Sequence, residues 1–255
     1  TPVMVCMDGF VLTHAWEQVD IPDQDQVDAF LPPYEPRQVL DPAEPSSIGA
    51  MVGPEAFTEV RYLGHARLME ALDVVPDVAD RFAEAFGRNS GGLTRSYRTE
   101  DAETIVIALG SVLGTLKDTV DELRRDGLRI GVLGLTCFRP FPADAVRAAL
   151  GHARRVVVLE RAFEPGVGGI VTQNVVAAAP AAEVHAVVAG LGGRAITQDS
   201  LTRLLRADRL PPLTFLDLDH SLIDRELGRL AAARRSGPTA ENLLRDLGAV
   251  ASRIG

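Results

Sequence analysis

Residues 104–135 read TIVIALGSVLGTLKDTVDELRRDGLRIGVLGL. The run divides into an apolar stretch at Thr104–Leu109, a segment whose apolar residues return at Leu116, Val120 and Leu123, and a second apolar stretch at Arg129–Leu135. Returns at three and four residues follow one face of a helix, while unbroken Val, Ile and Leu mark strands covered on both sides. The spacing predicts strand, helix, strand, with Gly110 to Gly114 as the turn, Thr115 and Asp118 capping the helix start and Gly127 ending it. Working outward, Arg155–Glu160 and Val184–Val188 read as further strands, and Ala143–Leu150, Ile170–Ala178 and Thr197–Ala207 as helices, with Pro142 just ahead of the first of these helices, where a proline is tolerated. Such alternation predicts a mostly parallel sheet between two helical layers, a three-layer α/β domain.

Upstream, Val3-Met4-Val5-Cys6-Met7 reads as one more strand buried on both faces. Asp8, His14 and Glu17 lie just beyond its C-terminal end, the end where open α/β sheets place their ligands, which makes them the best active-site neighbours in the chain. The alternative is structural: Asp8 and His14 satisfy backbone groups of a turn and Trp16 packs beneath. Seven prolines between Pro22 and Pro54 exclude a long helix or central strand and predict an extended connector. Phe30, Leu31 and Tyr34 give that connector apolar groups with which to lie on another surface. Val60, Gly64, Leu68, Leu72, Val75, Val78, Phe82 and Phe86 then predict one long helix, kinked near Pro76, with Arg61 on it. Gly87 to Ser96 reads as a hinge, and Leu222 to Arg253 as two amphipathic segments interrupted by Ser236-Gly237-Pro238.

The charge balance, 26 Lys+Arg against 35 Asp+Glu for a net −9, contains no basic block and argues against a nucleic-acid surface. No apolar run reaches the roughly 20 residues that cross a bilayer, and no signal segment opens the chain, so no membrane association and a cytoplasmic location are expected. Cys6 and Cys137 are the only cysteines, too few for an iron–sulfur cluster, and their apolar surroundings predict buried thiols. His14, His65, His152, His185 and His220 are too dispersed for a local metal site. Asp217-x-Asp219-His220 lacks the glycine and glutamate of a calcium loop and reads as a helix-capping turn. Three glycine-rich loops, Gly110–Gly114, Gly166–Gly169 and Gly190–Gly193, serve as tight turns or as backbone anion contacts. None matches a dinucleotide or Walker fingerprint, and a stand-alone nucleotide-binding domain is weakened accordingly. Arg194 beside the third loop makes Gly192, Gly193 and Arg194 the best anion candidate.

The wording MDGF-x-LTHAWE at Met7–Glu17 and IPDQ-x-x-VD-x-FLPPY at Ile21–Tyr34 resembles the α subunit of pyruvate:ferredoxin oxidoreductase, a 2-oxoacid:ferredoxin oxidoreductase. Phe138-Arg139-Pro140-Phe141-Pro142 and Gly190-Leu191-Gly192-Gly193-Arg194 match the same subunit, with Thr99-Glu100-Asp101-Ala102-Glu103 and Gly110-Ser111 between them in order. Where the family usually has an acidic residue after that arginine this chain has Ala195, which removes any polar role of that side chain.

The resemblance implies a fold: 1–98 as the end of a pyrimidine-binding domain for thiamine diphosphate with its arm and linker helix, 99–220 as a transketolase C-terminal-like domain, and 221–255 as terminal helices. It also implies a fragment, with the glutamate that protonates the aminopyrimidine ring lying upstream of Thr1, so that no catalytic residue and no bound cofactor are expected in this chain alone. The implied activity is oxidative decarboxylation of pyruvate to acetyl-CoA, or the reverse. Thiamine diphosphate and Mg are expected on a β subunit, iron–sulfur clusters in partner subunits including a ferredoxin-type δ subunit, and a γ subunit completes the complex. Ferredoxin, coenzyme A and a 2-oxo acid are the remaining partners. A 2-oxoisovalerate-specific relative and a non-catalytic scaffold module stay open as alternatives.

Overall fold

The computed structural model describes residues 3–9, 11–36, 38–45, 48–49, 51–151 and 153–232. Thr1–Thr214 form one compact unit and Phe215–Gly255 a second. Elements run α1 (Val11–His14), α2 (Gln24–Phe30), α3 (Phe57–Met69), α4 (Ala71–Phe86), β1 (Thr94–Tyr97), β2 (Thr104–Ala108), α5 (Val112–Arg125), β3 (Ile130–Leu135), α6 (Ala143–Leu150), β4 (Arg155–Glu160), α7 (Ile170–Ala178), β5 (Glu183–Val188), a 3₁₀ turn (Leu191–Gly193), α8 (Gln198–Arg206), β6 (Leu213–Phe215) and α9 (His220–Ala232). The second half therefore carries the expected strand–helix alternation.

Sheet order is β1-β3-β2-β4-β5-β6. β2 pairs in parallel with β3 on one side and β4 on the other, and β4 pairs in parallel with β5. Alternate strand residues face opposite layers. Ile105, Ile107, Leu133, Leu135, Val156 and Val158 join Val146 and Leu150 of α6 and Val171 and Val175 of α7 in one buried cluster. The intervening Val106, Val132, Val157 and Leu159 are equally buried and turn to the other face. There α5 and α8 pack together, contributing Leu116, Val120, Leu123, Leu201 and Leu205, each almost wholly buried. A fully buried Leu or Val side chain contributes about 1.5–3 kcal/mol relative to exposure, so these two layers hold the domain.

Several expectations are corrected. α5 starts at Val112, three residues before Thr115, because the positive φ of Gly110 turns the chain at once and leaves Ser111 as the flanking residue. Thr115 is thereby interior, its carbonyl accepting from the Thr119 hydroxyl at 2.7 Å. The span read as a hinge ends inside β1, a short polar edge strand antiparallel to β3. The single long helix is two, joined at Glu70, where the Asp73 amide bonds back only three residues to the Glu70 carbonyl. This tightened turn lies on the N-terminal side of Pro76, the side whose carbonyl a proline ring crowds.

The strand expected at Val3–Met7 is absent: these residues have no regular structure, and Met4 is 88% exposed. An apolar run becomes a buried strand only with ladder partners and covering layers, and among the described residues none pairs with it. Trp16 is fully exposed and packs beneath nothing. Within the proline-rich connector, residues 24–30 form α2, and the Phe30 ring meets Phe82 and Phe86 of α4 at centroid distances of 5.9 and 5.3 Å. Asp20 at its start pairs with Arg88 at 2.6 Å. In the second unit, Asp219 caps α9 as expected, accepting from the Leu222 amide at 3.0 Å and the Ser221 hydroxyl at 2.7 Å. The remainder of the tail, including Ser236-Gly237-Pro238, lies outside the described residues, as does His152.

Candidate functional site

The sheet has one topological switch point. From β2 the chain passes to β3 on one side, then returns across to β4 and β5 on the other, so the loops after β2 and β4 diverge. In open α/β sheets the crevice outside the C-terminal ends of such a strand pair is where ligands bind. Here its walls are Gly110-Ser111 after β2 and Arg161 after β4.

The Asp8 carboxylate occupies this crevice. Its Oδ2 accepts the Ser111 backbone N–H at 2.7 Å, and its Oδ1 lies 3.5 Å from Nη1 of Arg161. Gly110 sits beneath with φ +78°, and a Cβ built on it would come within 2.9 Å of Asp8 Oδ2. The chain thus supplies an anion to the positive end of α5, where unpaired amides and the helix dipole favour one. The Ser111 hydroxyl and amide, and then Arg161, hold the Asp8 carboxyl below the usual carboxylate range against the opposing effect of burial.

Arg161 also reaches the third glycine loop. Gly190, with φ +73°, leaves room for it, since a Cβ there would lie 3.0 Å from the Arg161 Nε. Gly192 and Gly193 follow with positive φ within the 3₁₀ turn, and Arg194 comes next. The structure thereby links two of the sequence-derived groups, Asp8 and the Gly190 loop, through an arginine that sequence reasoning passed over. Its signal was present: a cation directly after Glu160, at the ligand-binding end of a buried strand. His14 closes α1 and is exposed, and Glu17 is exposed in the coil that follows. Arg61 is exposed on α3.

A second carboxylate lies deeper. Glu160, 5% exposed at the end of β4, accepts the Val171 amide at 2.8 Å, the Thr172 amide at 2.9 Å and the Thr172 hydroxyl at 2.7 Å. It caps α7 from outside the helix, and Gly169 is required because a Cβ would meet its Oε1 at 2.0 Å. Beside β3, the Arg139 guanidinium stacks 4.0 Å over the Phe138 ring, which meets Phe141 edge to face. Cys137 is half-buried, its Sγ 3.5 Å from the Pro140 carbonyl oxygen, and burial pushes its thiol up. Cys6, expected to be buried, is exposed along with the rest of its segment. Among the described residues no three His, Cys, Asp or Glu side chains gather to hold a metal ion. No helix among them is long and apolar enough to cross a membrane.

Fold and site define an α/β sheet protein whose switch-point crevice is filled by a carboxylate of its own chain. Two family models match it in order: "Pyruvate flavodoxin/ferredoxin oxidoreductase, thiamine diP-bdg" over residues 1–80 and "Pyruvate:ferredoxin oxidoreductase core domain II" over residues 102–201. Pyruvate synthase subunit PorA of Methanothermobacter thermautotrophicus is 40% identical over 210 residues, 82% of this chain and 55% of that protein. The PorA subunit of Methanosarcina barkeri is 37% identical over 228 residues, 88% of this chain and 57% of the relative. Ketoisovalerate oxidoreductase subunit VorA of Pyrococcus horikoshii is 33% identical over 201 residues, covering 77% and 51%. Among solved structures, 2-oxoglutarate:ferredoxin oxidoreductase from Magnetococcus marinus aligns over 49% of this chain and 20% of its own, with 17% identity and a TM-score of 0.35. The chain belongs to the pyruvate:ferredoxin oxidoreductase family. It spans about half the length of the curated relatives it matches.

Proposed function

We propose that this chain is the α-subunit portion of a thiamine-diphosphate-dependent 2-oxoacid:ferredoxin oxidoreductase that converts pyruvate and coenzyme A to acetyl-CoA and carbon dioxide with ferredoxin as acceptor, or runs the reverse. The observation that carries this reading is the 40% identity to a pyruvate synthase subunit along 82% of the chain. Residues 1–98 are the end of the pyrimidine-binding domain and 99–220 the transketolase C-terminal-like domain. One family model ending at residue 80 and the other starting at residue 102 support a change of domain between these positions.

Thiamine diphosphate and Mg belong on a β subunit, as the family resemblance implies. When bound, thiamine diphosphate supplies the carbanion chemistry. This chain contributes surroundings: Asp8, His14 and Glu17 neighbour the active site, and Gly192, Gly193 and Arg194 offer an anion contact. Iron–sulfur clusters are carried by partner subunits, a ferredoxin-type δ subunit among them, a γ subunit completes the complex, and the complex works in the cytoplasm.

A second reading, specificity for 2-oxoisovalerate, draws support from the VorA relative at 33% identity. The test is co-expression of the α chain with its β, γ and δ partners, followed by 2-oxo acid and coenzyme-A-dependent reduction of ferredoxin or viologen. Pyruvate turnover is expected. Turnover of branched 2-oxo acids alone would replace the substrate assignment, and a fully assembled, cofactor-loaded complex that oxidises no 2-oxo acid would make the chain a scaffold.

A further inference from the structure

We propose that the switch-point crevice of this domain is a socket for the protein's own Asp8, which latches the Val3–Gly9 segment across the C-terminal edge of the sheet and leaves no room there for an external anion. Three independent features converge on one side chain. The Ser111 amide, at the start of a 14-residue helix, donates to Oδ2 at 2.7 Å. Arg161, projected from the other wall by β4, stands 3.5 Å from Oδ1. Gly110 is bare where any Cβ would press on the carboxylate at 2.9 Å.

The surroundings sharpen the point. Val3, Met4, Val5 and Met7 are 85%, 88%, 86% and 75% exposed, so apolar burial does not hold this segment in place. Asp8 alone of the segment's side chains is largely covered, its side chain 26% exposed. The tie spans 103 residues of sequence and joins the part of the chain matched by one family model to the part matched by the other. A crevice that elsewhere would receive a phosphate or carboxylate ligand here receives a carboxylate that is already attached. Asp8 is accordingly a positioning residue: it sets where residues 3–14 stand relative to the sheet edge, whichever 2-oxo acid the complex uses.

Hydrogen exchange of the peptide covering 109–113 tests this in the wild-type chain and in Asp8→Ala, Asp8→Glu and Arg161→Gln. Loss of a hydrogen bond to a charged acceptor makes local opening roughly tenfold or more easier, so this peptide, whose Ser111 amide donates to Asp8, is expected to exchange faster by that order in Asp8→Ala. Arg161→Gln should give a smaller rise. Peptides from β3 and α6 should be unchanged, which separates loss of the latch from loss of the fold. Millimolar inorganic phosphate should restore protection of 109–113 in Asp8→Ala and leave the wild-type chain unaffected. Unchanged exchange in Asp8→Ala, or phosphate protection of 109–113 with Asp8 in place, would overturn the socket. In Asp8→Glu the extra methylene should misplace the carboxylate over Gly110 and leave exchange raised, and wild-type protection there would show that the close fit has no role.

Discussion

Glu160 and Asp8 show how differently two carboxylates at one sheet edge are legible. Glu160 ends a strand whose sequence predicts its bounds to the residue, yet its task of capping α7 depends on partners eleven and twelve residues downstream that folding brings back. Its three donors leave no slack: Gly169→Ala, which would place a methyl 2.0 Å from Oε1, is expected to destabilise the domain by about 1–3 kcal/mol, read as a lowered urea midpoint with unchanged slope. Asp8 is picked out by sequence as a strand-end residue, for a strand that does not form, and its true partner lies 103 residues away, beyond any spacing argument. Its carboxyl is held below the ordinary value by Ser111 first and then Arg161, so the stabilisation is complete above the unfolded pKa of about 3.9 and fades as pH falls through the lowered folded value. Acidification below about pH 4 should therefore raise exchange at 109–113 in the wild-type chain. Asp8→Asn should remove that pH dependence; an identical acid profile in Asp8→Asn would assign the transition to another group.

At the scale of elements, the alternation of Thr104–Leu109, Leu116/Val120/Leu123 and Arg129–Leu135 was readable because strands buried on both faces and helices buried on one carry different periods. β1 escaped notice because Thr94-Arg95-Ser96-Tyr97 is an edge strand, polar on both sides, and is held by the ladder to β3. The connector was legible only as proline-rich: α2 fits between its prolines, and its reason for folding is α4. Phe30 packs on Phe82 and Phe86, with the Arg81 guanidinium 5.7 Å from the Phe30 centroid. Phe30→Ala should cost this half-buried contact about 1–2 kcal/mol and release residues 20–34 to faster exchange, while β2 to β4 keep their protection. Equal protection of 20–34 in the variant would show that the Asp20–Arg88 pair alone seats the arm.

Within the unit formed by residues 1–214, the sheet closes its own core and the N-terminal third does not. Met51 and Trp16 are fully exposed, Tyr34 is 89% exposed, and Phe57, Val60, Tyr62 and Leu63 leave α3 without a single buried residue. Apolar surface on this scale marks an interaction surface, and the sequence signals for these residues, strand-like and helix-like runs, were signals of burial that the chain by itself does not provide. The expectation is that the assembled oxidoreductase covers this third. Oxidative footprinting reads it directly, because Met4, Met7 and Met51 and the Trp16 indole are exposed reporters distributed along it. Their oxidation rates should fall severalfold when the chain is assembled with its partner subunits, whereas Cys137, half-buried beside the FRPFP segment, should change little. Unaltered rates at all four reporters in a complex with full turnover would mean that this surface meets solvent in the working enzyme, and that the arm and α3 serve some purpose other than assembly.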